Sequence, residues 1–167
     1  LETRVCVSPV DAKNLVRVAQ LFNKTNQLNL STRRMLQNEI AEWAAEPNHS
    51  MMAVSVSDKF GDMGLVGVIG TEVKDGTGKL TDFILSCRVM GRKVEEALIH
   101  LAVAEVERAG GEVMLINYLP TERNHPTLEV LKKAGLNEIS ENEFEVRIGD
   151  GYPKPAYVHL EVMSEAA

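Results

Sequence analysis

Most of the chemistry legible in this chain lies between Phe83 and Glu95. There an apolar run, Phe83-Ile84-Leu85, meets the basic, glycine-containing turn Arg88-Val89-Met90-Gly91-Arg92-Lys93, and a helix-patterned segment follows. A helix N-terminus offers unpaired backbone N–H groups and a partial positive charge. Arg88, Arg92 and Lys93 add full charges, and Gly91 lets backbone approach a ligand closely. Together they form a candidate cradle for a pyrophosphate or phosphate group. The alternative is an ordinary strand-to-helix turn with basic residues at the surface. Cys87 stands just before the cradle. As a thiolate it would be a nucleophile able to take an acyl group and pass it on. Packed as a small apolar residue at the end of a central strand, it would be inert. His125, beside Asn124, would supply a base across the sheet ends; a loop residue before Pro126 is the other possibility.

Elements of both periods must position these groups. Leu15, Val18, Ala19 and Phe22 recur at helical spacing. The first forty-odd residues read as helical, in two helices broken by the polar stretch from Lys24 to Leu30. Ser31 or Thr32 would cap the second, which carries Met35, Leu36, Ile40 and Trp43 and stops before Pro47. Strands are predicted at Met51–Ser57, Leu65–Val73 and Leu80–Val89. A long helix from Arg92 to Arg108 ends at Gly110-Gly111. A short strand, Val113–Tyr118, a polar loop from Pro120 to Pro126, and a helix to Ala134 follow. Two more strands, Glu143–Ile148 and Ala156–Met163, complete the order ααβββαβαββ. That order predicts an α/β (α+β) chain with a mixed, mostly antiparallel sheet in a single domain over 1–167.

Composition narrows the partners. The 167 residues hold 18 Lys plus Arg against 24 Asp plus Glu, a net charge of −6, which disfavours a nucleic-acid binder that tracks phosphates. No apolar run approaches the roughly 18 residues that would span a membrane. Two cysteines, Cys6 and Cys87, are too few for a disulfide scaffold and suit a reducing, cytoplasmic compartment. His49, His100 and His159 show no metal-ligand spacing, so no metal is expected.

The turn Arg88-Val89-Met90-Gly91-Arg92 resembles the R/Q-x-x-G-x-G/A loop of the GNAT acyltransferase superfamily, with Lys93 where the last small residue is expected. Asn124 followed by Val130 to Leu136 is similar to that superfamily's next helix. A closer resemblance is to the C-terminal half of FkbH-like proteins, carried by Gln20 to Arg34, Phe60 to Val68, Leu85 to Glu95, and Thr121 to Asn124. This resemblance implies a GNAT-like fold that binds coenzyme A or the phosphopantetheine arm of an acyl carrier protein. It implies a small, glyceryl-like acyl substrate in polyketide-type biosynthesis. Arg88, Val89, Gly91, Arg92, Lys93 and Asn124 would then hold the cofactor, and Cys87 and His125 would be catalytic. Lys24, Asn26, Gln27, Arg33 and Arg34 would line the acyl or acceptor side. Docking of the carrier arm without catalysis, and ordinary acetyl-CoA-dependent N-acetylation, are the alternatives. Leu131 stands where many GNAT enzymes carry a tyrosine acid, which disfavours the last; Tyr118 is a weak substitute. FkbH-like proteins typically place a HAD-type phosphatase-like half before the Lys24-Thr25-Asn26-Gln27 segment. Its D-x-D-x-T motif is missing, and the chain begins at Leu1, so a piece of a longer protein is expected.

Overall fold

The computed structural model describes residues 2–163. Alternating apolar segments pair into one eight-stranded sheet: β1 (Thr3–Pro9), β2 (His49–Asp58), β3 (Gly61–Lys74), β4 (Thr77–Leu85), β5 (Val113–Asn117), β6 (Asn137–Ser140), β7 (Glu143–Arg147) and β8 (Val158–Val162). The spatial order is β6-β7-β5-β4-β3-β2-β1-β8. Only β1 with β8 and β4 with β5 are parallel; the remaining pairs are antiparallel, as the pattern predicts. Helices α1 (Leu15–Lys24) and α2 (Gln37–Ala45) cover one face, where Val18, Phe22 and Ile40 meet Met51, Ala53, Val68 and Ile84. Helices α3 (Val94–Arg108) and α4 (His125–Lys133) cover the other, packing Leu98, Ala102, Val106 and Leu131 on Val54, Leu80 and Ile116.

Two strands differ from the expectation. Residues 3–9 are strand, not helix: Val5 and Val7 alternate inward with period two and are fully buried between β2 and β8. β6 is four exposed residues at the sheet edge, with no apolar pattern to announce it. The second helix begins at Gln37, later than Ser31 or Thr32 would cap it. Its entry is fixed by Leu36 N–H donating to Glu39 Oε1 at 2.8 Å.

The departure that matters most is in β4. Leu80 pairs with Thr71 and Asp82 with Gly70, so Thr81 is an extra residue, a β-bulge. The bulge flips the alternation: Leu80 faces α3, and so do Phe83 and Leu85. Parallel pairing of β4 with β5 stops at the same place, at Leu80 and Ile116. Beyond it the two strands part, and β4 ends at Leu85 instead of Val89. Ser86 then caps a single 3₁₀ turn, Cys87–Val89, that leads to α3.

Candidate functional site

The opening between β4 and β5 is filled by the chain itself. Leu30 N–H donates to Phe83 O (3.1 Å), Leu85 N–H to Leu28 O (3.0 Å), and Leu119 N–H to Leu30 O (3.2 Å). Leu28 to Leu30 thus lies between the parted strands, with both leucines buried on the α3 side. Asn29 N–H donates to Thr127 Oγ1 (3.0 Å), and that hydroxyl donates to Gln27 O (2.9 Å). Asn124 locks the same wedge: Nδ2 donates to Asn29 O (3.0 Å) and Leu119 O (2.9 Å). Its Oδ1 accepts from Tyr118 O–H (2.9 Å) and Thr121 N–H (2.7 Å). With these four bonds the amide is saturated, and Asn124 is fully buried. The expectation that Asn124 holds a cofactor is therefore corrected: no bonding capacity is left for a ligand. Tyr118 is spent in the same way, and burial pushes its phenol above the ordinary value.

The four sequence segments singled out above converge here. Residues 28–30 bond to Phe83 and Leu85, and residues 119–124 hold residues 29–30. Ser86 N–H donates to Val66 O at 2.8 Å, and Arg88 Nη2 reaches Met63 O at 3.4 Å. Arg33 and Arg34 also serve the wedge. Arg33 grips Asp82 bidentately, Nε to Oδ1 at 2.9 Å and Nη2 to Oδ2 at 2.5 Å, and lies over the Trp43 ring. Arg34 donates to the carbonyls of Phe22 and Thr25 and to Asn26 Oδ1 (2.5 Å). Both guanidiniums thus hold the fold: Arg34 serves three acceptors of the loop, while Arg33 keeps N–H groups that Asp82 does not use. Lys24 and Gln27 have exposed side chains on the same loop, with Asn26 half-buried. Thr32, where the wedge leaves the sheet, has φ +52°, rare for a β-branched residue. Its Oγ1 is buried without a hydrogen-bond partner.

The segment expected to cradle a phosphate sits at the end of the 3₁₀ turn. Gly91 (φ +81°) and Lys93 (φ +66°) are both left-handed, and a Cβ at Gly91 would meet open space. Gly91 N–H already donates to Glu95 Oε1 at 2.6 Å, so a carboxylate from the helix's first turn occupies one anion-binding position. Arg92 is tied to Asp58 (2.8 Å) and Lys93 to Glu96 (3.5 Å). Backbone N–H bonds from Phe60 and then the Arg92 guanidinium hold the Asp58 carboxyl below its ordinary value against a desolvation that raises it. Arg88 is exposed and enters no ion pair among the described residues. Val89 is fully buried, so only its backbone is available to a ligand. A cavity of about 350 Å³ opens from Met90, Gly91 and Lys93 toward Pro126, Val130 and Lys133 of α4. Three carboxylates line it, Glu95, Glu96 and Glu129, against the ammoniums of Lys93 and Lys133.

Cys87 is exposed in the 3₁₀ turn rather than buried at the end of a strand, so the inert packing role is excluded. His125 opens α4, exposed, with Nε2 3.4 Å from Glu129 Oε1. Neither lines the α3–α4 cavity. Among the described residues no group of three His, Cys, Asp or Glu is arranged to hold a metal ion, and no helix is long and apolar enough to cross a membrane. Sequence reasoning missed the wedge, Asp82, Thr127 and Glu95. Asp82 had a signal: a lone carboxylate inside a buried apolar run needs a cation partner.

No family model matches the chain, and no curated protein matches it. Solved structures do. The ribosomal-protein-S18-alanine N-acetyltransferase from Escherichia coli superposes with a TM-score of 0.61 at 10% identity, over 86% of this chain and 94% of that one. The yncA protein from Salmonella typhimurium, solved with its cofactor acetyl-CoA, gives 0.62 at 10% identity over 91% and 98%. A variant of the spermidine N-acetyltransferase SpeG from Vibrio cholerae gives 0.63 at 10% over 87% and 95%. The fold is the GNAT acetyltransferase fold. The finer FkbH-like resemblance rests on the sequence segments alone.

Proposed function

We propose that this chain is an acyltransferase-type domain that takes a phosphopantetheine thioester, with the phosphate on Arg88 to Lys93 and the arm in the cavity between α3 and α4. The observation that carries this is the left-handed Gly91–Lys93 turn at the α3 N-terminus, opening directly on that cavity. The GNAT fold, and acetyl-CoA bound in the yncA structure, support a thioester of this kind. The choice of an arm carried on a protein over free coenzyme A rests on the FkbH-like resemblance of the sequence segments. In the transfer an acceptor nucleophile attacks the thioester carbonyl. The C–S bond breaks, the new bond to the acyl carbon forms, and the acceptor's proton leaves with the thiol. Exposed Cys87 is the candidate intermediate acceptor: its thiolate would take a small, glyceryl-like acyl group and return it to a second thiol.

Docking of a carrier arm without catalysis is the second reading, and the wedge favours it. Leu28 to Leu30 closes the space between β4 and β5, and Tyr118 has no free hydroxyl for proton transfer. Intact-protein mass spectrometry separates the two. Incubation with an acyl-pantetheine donor should add the acyl mass to the native chain and not to Cys87→Ser. No added mass, with carrier bound and lost in Arg88→Ala, leaves docking. Arm and carrier binding unchanged by Arg88→Ala sinks the phosphate assignment for both.

A further inference from the structure

On the opposite face of the sheet, at the bulge, a second cavity of about 330 Å³ has no part in the α3 site. Alternation along β3, β4 and β5 brings Glu72, Lys79, Thr81 and Asn117 to it, while Arg33 and Trp43 complete the wall from the α2 side. Its polar groups are of two kinds. Arg33 spends the N–H of Nε and one of Nη2 on Asp82, which leaves three donors, two on Nη1 and one on Nη2. Exposed Lys79 belongs to no ion pair among the described residues. Acceptors lie beside these two cations, Glu72 as the cross-strand partner of Lys79 and Thr81 two residues along β4. His49 Nδ1 donates to Trp43 O at 2.8 Å, and its Nε2 lies 3.3 Å from Glu72 Oε2, leaving the other carboxylate oxygen for a ligand. Thr81 Oγ1 gives its proton to Asp82 (2.9 Å) and can only accept from a ligand.

We propose that this cavity binds a small carboxylic acid bearing a hydroxyl or amino group on the adjacent carbon. The carboxylate sits on Arg33 and Lys79, and the second group donates to Glu72 or Thr81. Cations alone would take any anion; the acceptors beside them select a molecule that also donates. A volume near the lower end for ligand pockets fits a three- or four-carbon acid with its water. This site does not rest on the acyl-transfer reading, because it shares no lining residue with the α3–α4 cavity.

Trp43 is the only tryptophan of the chain and lines the cavity, so its emission reports occupancy directly. Titrations with lactate, alanine and propionate, with no thioester present, form a matched three-carbon series. Lactate or alanine should change Trp43 emission saturably, and propionate should bind at least about tenfold more weakly, the loss of one good hydrogen bond in a partly desolvated site. Lys79→Met should weaken the binding of lactate or alanine about tenfold while the melting temperature stays put, since Lys79 is exposed. No saturable change with either bifunctional acid, equal binding of propionate, or unchanged affinity in Lys79→Met would each overturn the assignment.

Discussion

Removing the guanidinium from Arg33 should cost far more than removing the charge from its partner. Asp82 is fully buried at the bulge, and with Arg33→Met its carboxylate keeps only the Thr81 hydroxyl. Breaking a buried pair from one side costs about 3–5 kcal/mol. The Arg33 side chain is 32% exposed, so water can reach the site and the low end applies. Loss of the cation over Trp43 adds about 0.5 kcal/mol. The sum, roughly 3–4 kcal/mol, corresponds to a fall in melting temperature on the order of 10 °C for a chain of this size. Asp82→Asn leaves a guanidinium that can turn to solvent, and should cost only about 1–2 kcal/mol. Arg33→Met combined with Asp82→Leu removes both charges and should recover much of the loss. Urea unfolding of Arg33→Met, Asp82→Leu and their double closes a cycle, with Asp82→Asn measured beside it. A loss below about 1 kcal/mol in Arg33→Met, or equal losses in the singles, would mean that solvent screens the pair and that the bulge is not held by it.

Gly70→Ala should destabilise by about 2 kcal/mol or more in the same assay. Its Cβ would stand 2.6 Å from the Asp82 Oδ2 that Arg33 pins. Asn124→Ala orphans the buried Asn29 carbonyl and Tyr118 hydroxyl, with Leu119 O and Thr121 N–H lost at exposed residues, and should cost about 2–4 kcal/mol, with hydrogen exchange at Leu119 and Leu85 accelerated; unchanged protection there would refute its role as the lock of the wedge. Thr32→Asn should raise the unfolding midpoint, by about 1 kcal/mol, since Asn tolerates φ +52° better than a β-branched residue. Burial, then the charge of Glu96, pushes the Tyr152 phenol up to about 12. A folded value above the unfolded one gives a contribution that is complete below the ordinary tyrosine value and is lost as pH rises toward 12. Tyr152→Phe should therefore flatten the alkaline fall in stability between about pH 10 and 12.

The fold was legible where period and burial coincide. Val18 to Phe22, Met51 to Val56 and Val94 to Leu101 bury the side chains their spacing predicts, while Leu15 is half-buried and Ala104, on the same expected stripe of α3, is exposed. β1 was lost because seven residues with only Val5 and Val7 fully buried give a short, weak alternation, and β6 because an edge strand that buries nothing has no pattern. At the site, the turn from Arg88 to Lys93 was legible from glycine and charge. The roles of Arg33, Arg34 and Asn124 were not. Polar residues in a loop look the same whether they await a ligand or hold backbone carbonyls, and only the distant partners decide, Asp82 for Arg33 and Asn29 for Asn124.

The wedge also constrains how the proposed transfer can run. Three backbone and three side-chain-assisted hydrogen bonds hold it, at about 1 kcal/mol each. Withdrawing buried Leu28 and Leu30 would expose two side chains at about 1.5–3 kcal/mol each. The total is comparable with the whole stability of an ordinary domain, about 5–15 kcal/mol. Leu28 to Leu30 is therefore structure and not a lid, and a thioester on the α3 face does not meet an acceptor through the sheet at the bulge. Donor and acceptor must then use the same face, where the α3–α4 cavity adjoins a second one lined by Asp58, Phe60, Arg92 and Tyr157 at the same Gly91–Lys93 turn. A covalent stop solves that geometry. If Cys87, exposed on the 3₁₀ turn that leads to the cradle, holds the acyl group after the first thiol leaves, a second thiol can enter by the same path. Transfer in two half-reactions, with initial rates giving parallel double-reciprocal lines, is the kinetic form that the proposed Cys87 intermediate predicts. Intersecting lines would show that donor and acceptor are bound together, and would place the acceptor outside the α3–α4 cavity.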